Sequence, residues 1–196
     1  MVPAGIAEQE RLYTVEEYFE LEKSSEIRHE YYYGKLIPMP GESKKANLIA
    51  SNCNRNLWFA LKGKGYQIFQ SDVRTIVKDR KIYRYPDIVI APKSDDTDDY
   101  NITKPILLIE VFSDGSSKTD HEAKLKEYAE MESVQYYLII SQYEMSVKIY
   151  TRQEKGWHYD HLMGAEEIIE LPLLGCQLLL EDIYEEVDLA ENRSDS

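Results

Sequence analysis

The segment Pro105-Ile-Leu-Leu-Ile-Glu-Val-Phe112 constrains this chain more than any other. Its near-continuous apolar character describes a strand covered on both faces, as at the centre of a sheet. Glu110 is the single charge in the run. A lone carboxylate in such a place is costly unless it is paired, protonated or bound to a metal. The sequence must therefore supply Glu110 with a partner, and finding that partner is the route to a function.

The flanking segments describe what packs on the strand. Thr14 and Glu17 have capping-box spacing and open a helix over 15–23. Residues 27–39 read as a hairpin broken at Gly34. Apolar residues at Ala46, Ile49, Ala50, Cys53, Leu57, Ala60 and Leu61 make a helical stripe over 44–62, closed by Gly63 and Gly65. Strands are expected at 66–70, 73–78, 82–85 and 87–91, with a turn at Asp79-Arg80. A second capping box, Thr119 and Glu122, starts a helix to about 132, and strands follow at 136–140, 145–150 and 157–162. The segment 181–187 reads as a last helical turn. This order predicts a mixed α/β domain around one central sheet. At 196 residues there is room for one domain, over 13–189, preceded by a loose leader at 1–12 and followed by a frayed acidic tail at 190–196.

Composition narrows the setting. Two isolated cysteines, Cys53 and Cys176, exclude a disulfide scaffold and fit a reducing cytoplasm. No apolar run is long enough to span a bilayer, and the N-terminal residues lack a secretory pattern, so no membrane partner is expected. The net charge of −13 argues at first against nucleic acid. It is unevenly spread: residues 181–196 carry −6, and four aspartates at 95, 96, 98 and 99 add −4. Residues 43–84 carry ten Lys or Arg against Asp72 and Asp79. A locally basic face on an acidic protein binds phosphates with less long-range steering. The polar side of helix 44–62, with Lys44, Lys45, Arg55 and Trp58, is the candidate face for DNA.

Two further elements can meet Glu110. In Tyr85-Pro86-Asp87-Ile-Val-Ile90, proline stands at a strand start, and alternation puts Asp87 on the face of Val89. Taken alone, Asp87 is an ordinary strand-end turn former. On the helix after 119, Asp120, Lys124 and Tyr128 recur every four residues and share one face, while Lys126 and Glu127 point elsewhere. Asp120 also suits a first helical turn for purely structural reasons. His158-x-x-His161 is not read as a metal pair, because the two rings fall on opposite faces of a strand.

Together these pieces resemble the PD-(D/E)XK nuclease superfamily and, more closely, the bacterial Uma-type restriction endonuclease family. The resemblance is carried by TVEEYFELEKS, HEYYYGKLIPMPGES, NLIASNCNRNLWFALKG, IYRYPDIVIAP, PILLIEVFSDGSSKTDHEAKLKEYAEMESVQYYLIISQYEMSVKIY and LLLEDIYEEVDL, from about residue 13 to 189. It implies a restriction-endonuclease-like α/β fold, a central mixed β-sheet flanked by helices, with catalytic acids at Asp87 and Glu110. The superfamily's lysine two residues after the glutamate is replaced here by Phe112. The resemblance instead implies a lysine displaced to the helix, matched by Lys124, with Asp120 and Tyr128 as supporting residues. It also implies an acid approaching the metal at Glu30, whose alternative is an ordinary outward side chain on a hairpin strand. Ala46 stands where relatives commonly carry His.

Two carboxylates with the main-chain carbonyl of Val111 make a hard oxygen site for Mg²⁺ or Mn²⁺. Lys124 would orient the attacking water or neutralise phosphoryl oxygens. The expectation is a metal-dependent endonuclease acting on DNA, and the resemblance implies a homodimer. Ala46, Phe112 and the acidic balance favour a different class, a catalytically inactive nuclease-fold module that binds DNA or other partners. A hydrolase of small phosphorylated substrates would share the same metal chemistry.

Overall fold

A computed structural model of the chain describes residues 11–39, 41–93, 98–112 and 118–189, without the side chains of 118–120. The first ten residues of the expected leader, Asp95 and Asp96, the tail from 190, the Thr119 cap and the Asp120 side chain lie outside the described residues.

The apolar run forms β8 (Leu107–Phe112), at an interior position of a six-stranded sheet. Beside it run β9 (Tyr136–Ser141), parallel, and β6 (Ile88–Pro92), antiparallel. Beyond β9 come β10 (Ser146–Arg152) and β11 (Trp157–Met163), and beyond β6 comes β3 (Tyr66–Gln70). One parallel pair among antiparallel ones makes the sheet mixed. Helix α2 (Lys44–Leu61) lays its apolar stripe on one face, packing Ile49, Cys53 and Leu57 against Ile88, Ile90, Leu107 and Ile109. Helix α3 (Lys118–Ala129) covers the other, where Tyr128 and Met131 meet Val89, Leu108, Tyr137 and Ile139. The alternation of β6 and β8 thus divides between two cores. Leu107, Leu108 and Ile109 have no solvent exposure. At roughly 1.5–3 kcal/mol per buried aliphatic side chain, they offset the several kcal/mol of desolvation that Glu110 costs beside them.

The expectation of one sheet needs correction. Five strands, four of them from the N-terminal half, form a second sheet with α1 (Val15–Ser24). Its order is β2 (Lys35–Pro38), β1 (His29–Tyr32), β5 (Ile82–Arg84), β4 (Arg74–Lys78) and β7 (Asn101–Ile102). The cause is local. Pro86 has no N–H to donate, so the ladder breaks there, β5 stays with β1, and β6 crosses to β8. Residues 85–87 are the joint between the sheets. The second sheet has a core of its own, in which Tyr18, Tyr31 and Tyr83 pack with ring centroids 5.1–5.9 Å apart. The Thr14–Glu17 capping box forms as its spacing requires. Tyr33 and Gly34, at φ of 47° and 92°, make the two-residue turn that fixes the hairpin register.

A ribbon of β12 (Ile168–Leu171) and β13 (Cys176–Leu179), joined by a 3₁₀ turn at Pro172–Leu174, was not legible as strands. It closes the α2 core with Leu171, Leu174 and Leu178. The short helix α4 (Leu180–Ile183) follows, held to α2 by Asn52, whose amide donates to the Ile183 and Glu185 carbonyls at 3.0 and 2.8 Å.

Candidate active site

Strand pairing brings the charged groups together. Tyr31 pairs with Tyr83, so one step along the same register Glu30 faces Arg84. Both are buried, and Arg84 Nη1 donates to Glu30 Oε2 at 2.5 Å. The other edge of the guanidinium forks onto Glu127, with Nε and Nη2 at 2.9 and 2.8 Å from its two oxygens. Glu127 was expected on a different face from Lys124. It lies three residues further on, close enough round the helix for its carboxylate to swing back to the buried cation.

Lys124 is the hub. Its Nζ lies 3.3 Å from Glu30 Oε1 and 3.1 Å from Glu110 Oε1. Tyr128, one turn on, donates its hydroxyl to the same Glu110 oxygen at 3.0 Å. Lys124 and Tyr128 thus share the inward face that their spacing predicts, and Glu110 has the partners that its burial demands. A continuous chain of polar interactions runs Glu127, Arg84, Glu30, Lys124, Glu110, Tyr128.

Asp87 reaches the same place from the joint between the sheets. Val89 pairs with Leu108 and Ile88 with Ile109, so the next position on that register sets Asp87 beside Glu110. The Val111 N–H donates to Asp87 Oδ2 at 2.5 Å, and the Asp87 carbonyl accepts from Ser71 N at 3.0 Å. Glu42, just ahead of α2, also hydrogen-bonds the Asp87 carboxyl. Asp87 opens into a cleft of about 750 Å³, walled by Glu42, Lys44, Asn47, Ser71 and Tyr85. Glu110 and Lys124 lie behind it in the interior. The first turn of α2 stands at the mouth, where Ser43 caps the helix by accepting from Ala46 N and donates to buried Gln142.

Burial, the Glu110 charge and the Glu42 hydrogen bond all push the Asp87 pKa well above the ordinary carboxylate range. Burial raises that of Glu110 too, against the opposing pull of Lys124. Glu30 goes the other way: Lys124 and Arg84 outweigh its burial and hold it below the usual value. With every group ionised, five carboxylates (Glu30, Glu42, Asp87, Glu110, Glu127) face two cations (Arg84, Lys124), a balance of −3. Two carboxylates forced together with excess negative charge and only oxygen donors suit a hard divalent cation. Among the described residues no cluster of three or more His, Cys, Asp or Glu is arranged to hold a metal. Mg²⁺ fits that limit, because it commonly takes one or two carboxylates, keeps several waters and is completed by substrate phosphate.

Of the residues singled out in the sequence, Asp87, Glu110, Lys124, Tyr128 and Glu30 converge. Both Glu30 oxygens face cations, so this carboxylate sits as a support for Lys124. Val111 lies between Glu110 and the Asp87 hydrogen bond. Lys44 is exposed at the cleft and Lys45 half-buried beside it. Arg55 lies eleven residues along α2 and is ion-paired with Glu185. Phe112, at the superfamily's lysine position, packs against the His121 ring at 5.1 Å. His158 pairs with Asp160 on β11. Arg84, Glu127 and Glu42 were missed. Arg84 had a signal, as the one charge in the short segment Ile-Tyr-Arg-Tyr. Glu42 and Glu127 had none, since their partners are distant in sequence.

A mixed sheet between helices, with two carboxylates and a lysine gathered at its end, is the restriction-endonuclease-like architecture. The chain belongs to the Uma2 family, described as "Putative restriction endonuclease", whose model matches residues 15–181. Two relatives come from Synechocystis sp. (strain PCC 6803). The uncharacterized protein sll1609 is 29% identical over 168 residues, 84% of this chain and 95% of its own. The uncharacterized protein slr1290 is 27% identical over 170 residues, 86% and 90% of the two chains. The fold is shared with a crystal structure from Anabaena variabilis, titled a "putative nuclease belonging to DUF820". The TM-score is 0.71 at 20% identity, covering 87% of this chain and 97% of that one.

Proposed function

We propose that the protein is a metal-dependent nuclease that hydrolyses DNA phosphodiester bonds at the Asp87 cleft. One observation carries this reading: Lys124 is held by salt bridges at the buried Glu110 carboxylate, and Glu110 neighbours Asp87, which lines a cleft that opens onto the start of a long helix. Asp87, Glu110 and the Val111 carbonyl would hold Mg²⁺ or Mn²⁺. When bound, such a cation stabilises charge on the scissile phosphate and lowers the pKa of an attacking water.

The chain's own residues do the rest. Lys124, fixed by Glu30 and Glu110, presents an ammonium that orients the water and neutralises phosphoryl oxygen. Arg84, clamped by Glu127, keeps Glu30 in place and so keeps Lys124 aimed. Tyr128 holds the Glu110 carboxylate in one orientation. Lys44 and the first N–H groups of α2, ahead of the Ala46 N–H that Ser43 caps, receive the backbone phosphate, since helix N-termini favour anions. Water adds to phosphorus in line with the leaving oxygen, and the P–O ester bond breaks.

A non-catalytic binding module is the second reading, favoured by two features. Lys124 is committed to two carboxylates, and Phe112 occupies the strand position of the superfamily lysine. Calorimetric titration with Mn²⁺ separates the metal site from its absence. Wild type should bind, and Glu110→Gln should bind at least tenfold more weakly. Unchanged affinity in Glu110→Gln overturns the assignment.

A further inference from the structure

The outer side of α2 does not end at the Asp87 cleft. Lys44, Asn47 and Leu48 line that cleft, and the next turns of the same stripe, Ser51, Asn54 and Arg55, line a groove that reaches Trp58 and Phe59. A second groove lies on the far side of Trp58, walled by Lys62, Tyr66 and Gln67. Each encloses about 340 Å³. The sheet makes the same connection. Gln70, the last residue of β3, lines the Trp58 groove, while Ser71 lines the cleft and bonds the Asp87 carbonyl. At 1.5 Å per residue, Lys44 and Trp58 stand about 21 Å apart along the helix.

Trp58 is 50% exposed and Phe59 68%, with ring centroids 5.2 Å apart and planes at 84°. Lys62 Nζ lies 5.1 Å from the Trp58 centroid. Among the described residues neither groove is lined by an acid; the charges in their walls are Lys62 and Arg55, and Arg55 is ion-paired with Glu185. Exposed rings set between cations, amides and hydroxyls have the chemistry that holds unpaired bases: stacking on aromatic faces, with cations on the backbone. Duplex offers this surface only phosphates, which leaves both rings without a partner.

We infer that α2 carries a single-strand platform, in which unpaired bases stack at Trp58 and Phe59 while the phosphodiester enters the Asp87 cleft. The substrate class is then nucleic acid with a single-stranded stretch beside the cut. The inference rests on the nuclease reading for the role of the cleft, but its test does not need cleavage.

The chain has two tryptophans, so Trp157→Phe leaves Trp58 as the sole indole reporter. That variant is titrated, in EDTA, with a 12-nucleotide oligothymidine and with a matched duplex. The single strand should quench the emission. In anisotropy, Trp58→Ala and Phe59→Ala should each weaken single-strand binding about 5- to 150-fold, the span of a lost base stack, and leave duplex affinity unchanged. No quenching, or equal losses for both substrates, overturns the inference. So does sedimentation in which wild type is a dimer and Trp58→Ala a monomer, because another copy then covers the patch. Metal-dependent cleavage without quenching refutes the platform and keeps the nuclease; quenching without cleavage does the reverse.

Discussion

Arg84→Met is the substitution that isolates the buried ion network. Methionine keeps much of the side-chain volume and removes the charge. The guanidinium is 3% exposed and makes three hydrogen bonds, one to Glu30 and two to Glu127. Removing one partner of a buried pair costs about 3–5 kcal/mol, because the charge left behind is not rehydrated. For a domain of this size about 1 kcal/mol moves Tm by roughly 2–4 °C, so the expected loss is about 6–20 °C. Urea titration should show the same ΔΔG with m unchanged. The pH dependence tests the cause. Glu30 has a depressed folded-state pKa, so its contribution to stability is present above its unfolded pKa and lost as pH falls through the folded value. Part of that contribution comes from Arg84. The gap between wild type and variant should be widest near pH 7 and close as pH falls below about 4. Arg84→Lys keeps the charge without the fork and should fall between the two. A loss under about 1 kcal/mol near pH 7, or a gap that does not shrink as pH falls well below about 4, would refute the argument.

Other predictions follow from the same charges. Asp87 has a raised folded-state pKa, so its favourable contribution is complete below the unfolded pKa and is lost as pH rises through the folded value. Asp87→Asn should therefore be more stable than wild type at pH values above the folded-state pKa, with the advantage gone in acid; urea melts across pH measure it. Mg²⁺ should raise the Tm of wild type and leave that of Asp87→Asn unchanged in thermal melts. Changing Lys44 and Lys45 to Ala should flatten the salt dependence of duplex binding by about 0.9 in log–log slope for each phosphate no longer neutralised. Arg55→Ala should change it less, because Glu185 already neutralises Arg55, and Glu185→Gln should strengthen binding. Both are read from affinities at a series of salt concentrations.

Local chemistry was legible and long-range pairing was not. The Thr14–Glu17 cap, the α2 stripe and the buried β8 run each depend on a few neighbouring residues, and each formed as read. The division into two sheets depends on where a ladder stops, and Pro86 decides that only once the partners of β5 and β6 are known. Asn52 sits among polar residues of α2, yet is buried because its amide serves carbonyls more than 130 residues away. The same divide runs through the site. Lys124 and Tyr128 were found from helical spacing, and Glu110 from being a charge in an apolar strand. Arg84 and Glu127, 43 residues apart, form a pair that no spacing rule reaches. Glu30 was named through resemblance, and its position against Arg84 follows from the β1–β5 register.

The account gives each charged group a task. Under the proposed function, Asp87 and Glu110 would provide a negative site for a divalent cation, Lys124 would serve the phosphate end of the reaction, and Glu30, Arg84 and Glu127 would hold it there. The most direct test is cleavage of a pool of supercoiled plasmid, single strands, branched junctions and RNA with Mg²⁺ or Mn²⁺, comparing wild type with Glu110→Gln and Lys124→Ala. The account predicts metal-dependent cleavage of DNA by wild type, lost in EDTA and lost in both variants. Cleavage by all three proteins, or by none in the presence of salt-sensitive binding, would contradict it.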